Sequence, residues 1–104
     1  NAMYHLLTSD EFSAEEAYRI GLVQEIVETG KQLDRAVELA EQISKLAPLA
    51  VYATKASSMT YLEHGESATI ARFKDTQAGL ANTEDAAEGV ASFKERRDPV
   101  FKGK

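Results

Sequence analysis

Apolar residues recur at helical spacing along most of the chain. Leu33, Ala36, Val37, Ala40, Ile43 and Ala47 fall three or four apart, and Leu39 and Leu46 widen the stripe. Asp34, Arg35, Glu38, Glu41 and Lys45 occupy the opposite face. Glu41 and Lys45 stand four apart in the favourable order, so they are expected to pair, for a few tenths of a kcal/mol. Pro48 ends this helix and suits the first turn of the next. Leu49, Tyr52, Ala53, Ala56, Met59 and Leu62 mark a further amphipathic helix that Gly65 stops. Ile70, Phe73, Gln77 and Leu80 give a weaker face over 66–81, where Gly79 interrupts the pattern. Ala86, Val90, Phe93 and Arg97 line one side of a last helix. It ends at Asp98, because a residue before proline is pushed out of the α region.

Start and stop signals agree with this layout. Ser13 is an N-cap with Glu16 three residues on, a capping box, and the short helix it opens stops at Gly21. Leu22 to Val27 is apolar and β-branched, hence a short extended stretch. Thr29 and Gln32 form a second expected capping box. Thr83 caps the last helix, with Glu84 and Asp85 at the end that favours negative charge. Met3 to Leu7 is an apolar lead-in expected to fray. Val100 to Lys104 is a tail. The fold class is all-α: about five helices with one very short extended segment near Val23–Val27.

Composition narrows the function. At 104 residues the chain holds at most one domain, read as 3–104; Asn1-Ala2 before Met3 reads as a remnant of tag cleavage. If Met3 is the natural start, the chain is a short gene product. A net charge of -5 gives no general attraction for nucleic acid or an anionic membrane surface. There is no cysteine, so disulfides, a thiol nucleophile and cysteine metal sites are excluded, in keeping with a cytoplasmic protein. No apolar run approaches the roughly 20 residues of a membrane span.

The residues at both ends are more specific than the pattern. Leu7, Thr8, Phe12, Ala14, Ala17, Gly21, Leu22, Val23, Ile26 and Val27 resemble the segment that opens the C-terminal third of the crotonase (enoyl-CoA hydratase/isomerase) family. Ser9 departs from it, standing where the family usually has glycine. Thr83, Asp85, Glu88, Gly89, Phe93, Arg96, Arg97, Pro99, Phe101 and Gly103 resemble the family's closing motif. Between them, Lys55 falls where the family often has a lysine after an Ala-Pro segment, here Ala47-Pro48-Leu49-Ala50. Two motifs in the right order are far more specific than either alone.

The resemblance implies an acyl-CoA thioester substrate and no separate cofactor. It also implies that the catalytic amides and carboxylates lie in a larger N-terminal part, to which no stretch here corresponds. No catalytic residue is therefore assigned. In the family, the closing helix lies near a neighbouring subunit's acyl-CoA site. Phe93 then matches a wall of the acyl pocket, and Arg96 a basic residue near the CoA phosphates. The plain alternatives are a core phenylalanine and a solvated arginine. The implied partners are further copies of the chain, as a dimer or trimer, or a separate N-terminal half.

Other chemistry finds little footing. Glu15, Glu16, Glu84, Asp85 and Glu88 all have structural explanations at helix starts or on polar faces. His64 suits the end of its helix, and neither it nor His5 has a histidine or cysteine at metal spacing. There is no Gly-rich phosphate loop and no nucleophile elbow. An assembly module without enzymatic activity, or the remnant of a shortened gene, is the alternative to an enzyme's C-terminal segment.

Overall fold

The structure is a computed structural model and describes residues 2–104; Asn1, half of the expected tag remnant, lies outside the described residues. Five helices follow one another: α1 (Ala2–Thr8), α2 (Ala14–Arg19), α3 (Gln32–Ser44), α4 (Pro48–Ala81) and α5 (Glu84–Glu95). No strand occurs among the described residues, and 22–28 runs without a ladder partner. No helix among the described residues is long and apolar enough to cross a membrane. The chain gathers into two compact units, Asn1–Val37 and Glu38–Lys104.

In the first unit the lead-in does not fray. It forms α1, which ends at Ser9 in a left-handed turn with φ 58, its N–H donating to the His5 carbonyl at 2.9 Å. A non-glycine residue is strained there, so the backbone at this position favours glycine. The Ser13 hydroxyl accepts the Glu16 N–H at 3.2 Å, as its position predicts. The Glu16 carboxylate does not complete the box; it grips Arg19 through two bonds of 2.6 Å, and that contact draws its pKa down. Gly21, φ 77, closes α2: its N–H reaches the Tyr18 carbonyl and that of Leu22 the Ala17 carbonyl. Together these two bonds make a Schellman motif.

Thr29 does not cap α3. Gly30 turns left-handed at φ 87, so helical geometry cannot begin before it. The first helical bond runs from the Arg35 N–H to the Lys31 carbonyl. Arg35 also ties the extended stretch to α3 through Glu25, at 2.9 and 3.1 Å.

In the second unit α3 ends at Ser44, earlier than its stripe predicts. Lys45 therefore leaves the helical register, and the expected Glu41–Lys45 pair does not form among the described residues. Ala47 is extended ahead of Pro48, as the proline ring requires. Gly65, at φ 81 and ψ -179, breaks α4 into halves 48–64 and 66–81. That conformation is open essentially to glycine alone. The two halves face each other across a groove lined by Ala53, Ser57, Thr60, Thr69 and Thr76. Thr83 caps α5 as expected, its hydroxyl accepting the Ala86 N–H at 3.1 Å.

The helices form where their stripes predict, but the stripes stay in solvent. Ala17 is the one buried apolar residue among the described residues. Leu33 is 74% exposed, and Val37, Ile43, Leu46, Tyr52, Leu62, Ile70 and Phe73 stand out as well. The amphipathic faces are therefore left open within this chain.

Candidate functional site

The closing helix and its tail are joined by a set of carboxylate-to-backbone and carboxylate-to-arginine bonds. The first turn of α5 places Asp85 one position past the helix start, where side chains and backbone N–H groups converge. Asp85 is 4% exposed. Its Oδ1 accepts the Lys102 N–H at 2.6 Å and its Oδ2 the Gly103 N–H at 2.8 Å. Its own N–H donates to the Lys104 carbonyl at 3.0 Å, so an otherwise orphan donor of the helix end is satisfied by the tail. Gly103 is left-handed, φ 74, and lies 3.6 Å, measured from an ideal Cβ, from the Pro48 ring at the start of α4.

One turn along α5, Glu88 makes a second clasp. It takes both terminal nitrogens of Arg97, at 2.5 and 2.9 Å, and the Val100 N–H at 2.8 Å. Arg97 Nε also reaches Glu95 at 2.6 Å. Arg97 first, then the Val100 N–H, draw the Glu88 pKa from 4.5 down to about 2. Glu88 and Glu95 push that of Arg97 upward. The tail is therefore not loose. The chain turns at Arg96 and Arg97, and the tail runs back along α5, held at both ends.

Between the clasps, Phe101 lies against Gly89, 3.9 Å from an ideal Cβ there. A groove of about 320 Å³ runs between α5 and the tail, lined by Glu84, Ala87, Glu88, Ala91, Val100 and Lys102. A smaller one, about 190 Å³, lies where both ends of α4 meet α5, with Leu49, Leu80, Ala86 and Phe101 in its wall.

Phe93 and Arg96 stand one turn apart at the far end of α5 and in the wall of neither groove. Phe93 is 85% exposed, so it is not a core residue of this chain. Arg96 is exposed and left-handed, φ 54 and ψ 43, at the C-cap. Its N–H reaches the Phe93 carbonyl, and the next N–H, of Arg97, the Ser92 carbonyl. No hydrogen bond or ion pair engages the Arg96 side chain among the described residues. A planar guanidinium left free in this way suits bidentate phosphate binding.

Sequence reasoning put Asp85 and Glu88 on helix starts and polar faces and missed the clasps. The partners lie nine to eighteen positions further along the chain, beyond the reach of local spacing rules. The His5 ring packs on Phe12, centroids 4.2 Å apart, and meets Tyr4 in a T-shaped contact. No group of three or more His, Cys, Asp or Glu among the described residues could hold a metal ion.

The model of the family described as enoyl-CoA hydratase/isomerase matches residues 1–104. The chain is similar to (E)-benzylidenesuccinyl-CoA hydratase of Thauera aromatica, 43% identical across 98% of this chain and 40% of that protein. It is similar to carnitinyl-CoA dehydratase of Salmonella paratyphi A, 38% identical across 95% of this chain and 40% of the relative. Among solved structures, the enoyl-CoA hydratase of Mycobacterium tuberculosis H37Rv matches with a TM-score of 0.90 at 37% identity, covering 99% of this chain and 41% of that one. The chain thus spans about two fifths of the length of the relatives it matches.

Proposed function

The chain belongs to the enoyl-CoA hydratase/isomerase family, and from that premise we propose that it is the C-terminal, oligomer-forming segment of an acyl-CoA enzyme, inactive by itself. One observation carries the reading: helices with well-formed apolar stripes leave those stripes exposed, with Ala17 alone buried among apolar residues described. Monomers rarely leave contiguous apolar patches beyond a few hundred Å². Such faces suit an N-terminal half, neighbouring subunits, or both.

In the complete enzyme the reaction is addition of water across an α,β-unsaturated acyl-CoA, or a related enolate reaction. Amides holding the thioester oxygen carry most of the rate in chemistry of this kind. This chain contributes the closing helix. Phe93 is an exposed aromatic suited to the wall of an acyl pocket on a neighbouring subunit, and Arg96 a free guanidinium suited to a CoA phosphate. The exposed stripes suit an assembly module without enzymatic activity equally well. An adjacent coding frame for the N-terminal half favours the enzyme; its absence favours the module.

The test is loss of enoyl absorbance from crotonyl-CoA. The purified chain alone is expected to give no turnover, and activity is expected when the N-terminal half of a relative is produced with it. Turnover by the chain alone, abolished by a point mutation within it, would overturn the reading.

A further inference from the structure

Arg96 holds a left-handed backbone conformation that is strained for a non-glycine residue. Such a conformation persists when the surroundings over-determine it. The surroundings here are specific. The residue that follows, Arg97, is gripped by Glu88 through two bonds and by Glu95 through a third. Glu88 also fixes Val100 on the far side of Pro99. Two residues on the C-terminal side of Arg96 are therefore tied to one carboxylate on α5, adding to the Arg96 and Arg97 N–H bonds that close the helix end. A relaxed helix end would continue α5 or open the turn, and either would re-aim the Arg96 side chain.

We propose that Glu88 is a positioning residue: through Arg97 and Val100 it helps hold Arg96 left-handed, so that the free guanidinium is preset at the end of α5, one turn past Phe93, to receive a phosphate. This rests on the reading of Arg96 as the CoA phosphate contact, and deepens it. The affinity gained is the conformational cost removed before the ligand arrives. Asp85 belongs to the other end of the tail and is not required for it. The division of labour follows from the bonds: Asp85 anchors 102–104, while Glu88 anchors the reversal at 97–100.

Two readouts separate this proposal from the reading beneath it. The first is nuclear magnetic resonance of the whole chain, where a positive φ at Arg96 gives a strong contact between its own N–H and Hα protons. In E88Q that signature is expected to vanish while the contacts within α5 remain. Arg97→Lys, which keeps the charge but loses the fork, is expected to do the same, and Glu88→Asp to restore it in part. The second readout is calorimetric titration with coenzyme A, in which E88Q is expected to weaken binding about tenfold, but not in an Arg96→Ala background. An Arg96 signature that survives in both E88Q and Arg97→Lys overturns the proposal. Equal weakening by E88Q with and without Arg96 also overturns it, since Glu88 then acts on binding by another route. A lost signature together with unchanged CoA affinity in Arg96→Ala upholds the positioning by Glu88 and sinks the phosphate role of Arg96 alone.

Discussion

Asp85 accepts the backbone N–H of Gly103, eighteen residues further on, through Oδ2 at 2.8 Å. With the parallel bond to Lys102, this carboxylate pins the tail to the first turn of α5. A charged acceptor held by two backbone donors at a helix N-terminus combines charge-assisted hydrogen bonding with a favourable dipole. The relationship ties the two ends of the closing motif to each other.

An asparagine at this place can accept at its oxygen only, so one N–H loses its partner. Leaving a buried donor unpaired costs about 1–3 kcal/mol. Asp85→Asn is accordingly expected to lower the melting temperature by several degrees and to speed amide exchange at Lys102 and Gly103. An unchanged melt with those amides still protected would show that the clasp contributes nothing.

Glu88 makes the stability depend on acid. Its pKa is drawn from 4.5 to about 2 in the folded chain. A carboxyl group depressed on folding contributes its full share above the unfolded value and loses it as pH falls through the folded one. The melting temperature of the unaltered chain should therefore exceed that of Glu88→Gln by a constant amount above about pH 5. The gap should close between pH 4.5 and 2. Calorimetric melts across that range decide it; a gap that persists to pH 2 would be against the assigned ion pair.

Two glycines of α4 should respond in opposite directions. Gly65 sits at φ 81, ψ -179, so Gly65→Ala has room for its methyl group but not for its backbone, and a loss of about 1–3 kcal/mol is expected. Gly79 is helical, with nothing within 4 Å of an ideal Cβ. Gly79→Ala should add about 0.5–1 kcal/mol by helix propensity alone. Denaturant melts of the two variants measure both effects.

The exposed stripes predict self-association in the absence of a partner. Covering an extra ~1,000 Å² of apolar surface at roughly 25 cal/mol per Å² offsets an association cost of ~4–15 kcal/mol. Light scattering across micromolar concentrations is expected to give the mass of a dimer or trimer. A constant monomer mass with a cooperative melt would refute this.

Local structure was legible from the residues because short-range chemistry decides it. Ser13 and Thr83 cap their helices, Gly21 and Gly65 turn left-handed, and Ala47 is extended before Pro48, all from interactions within a few positions. The family, too, was written in the two motifs. Failures at Thr29 and at the Glu41–Lys45 pair were also local, each because the helix began or ended a few residues from where its stripe suggested. What only the tertiary structure decided was of longer range. No spacing rule says that Asp85 meets Gly103, that Glu88 takes both Arg97 and the Val100 N–H, or that Arg96 is thereby left strained and unpaired. Those contacts require the chain to reverse just after α5, at Arg96 and Arg97. The helical stripes state that an apolar face exists. Whether that face is covered depends on surfaces beyond the helix, and in this chain the structure leaves it open.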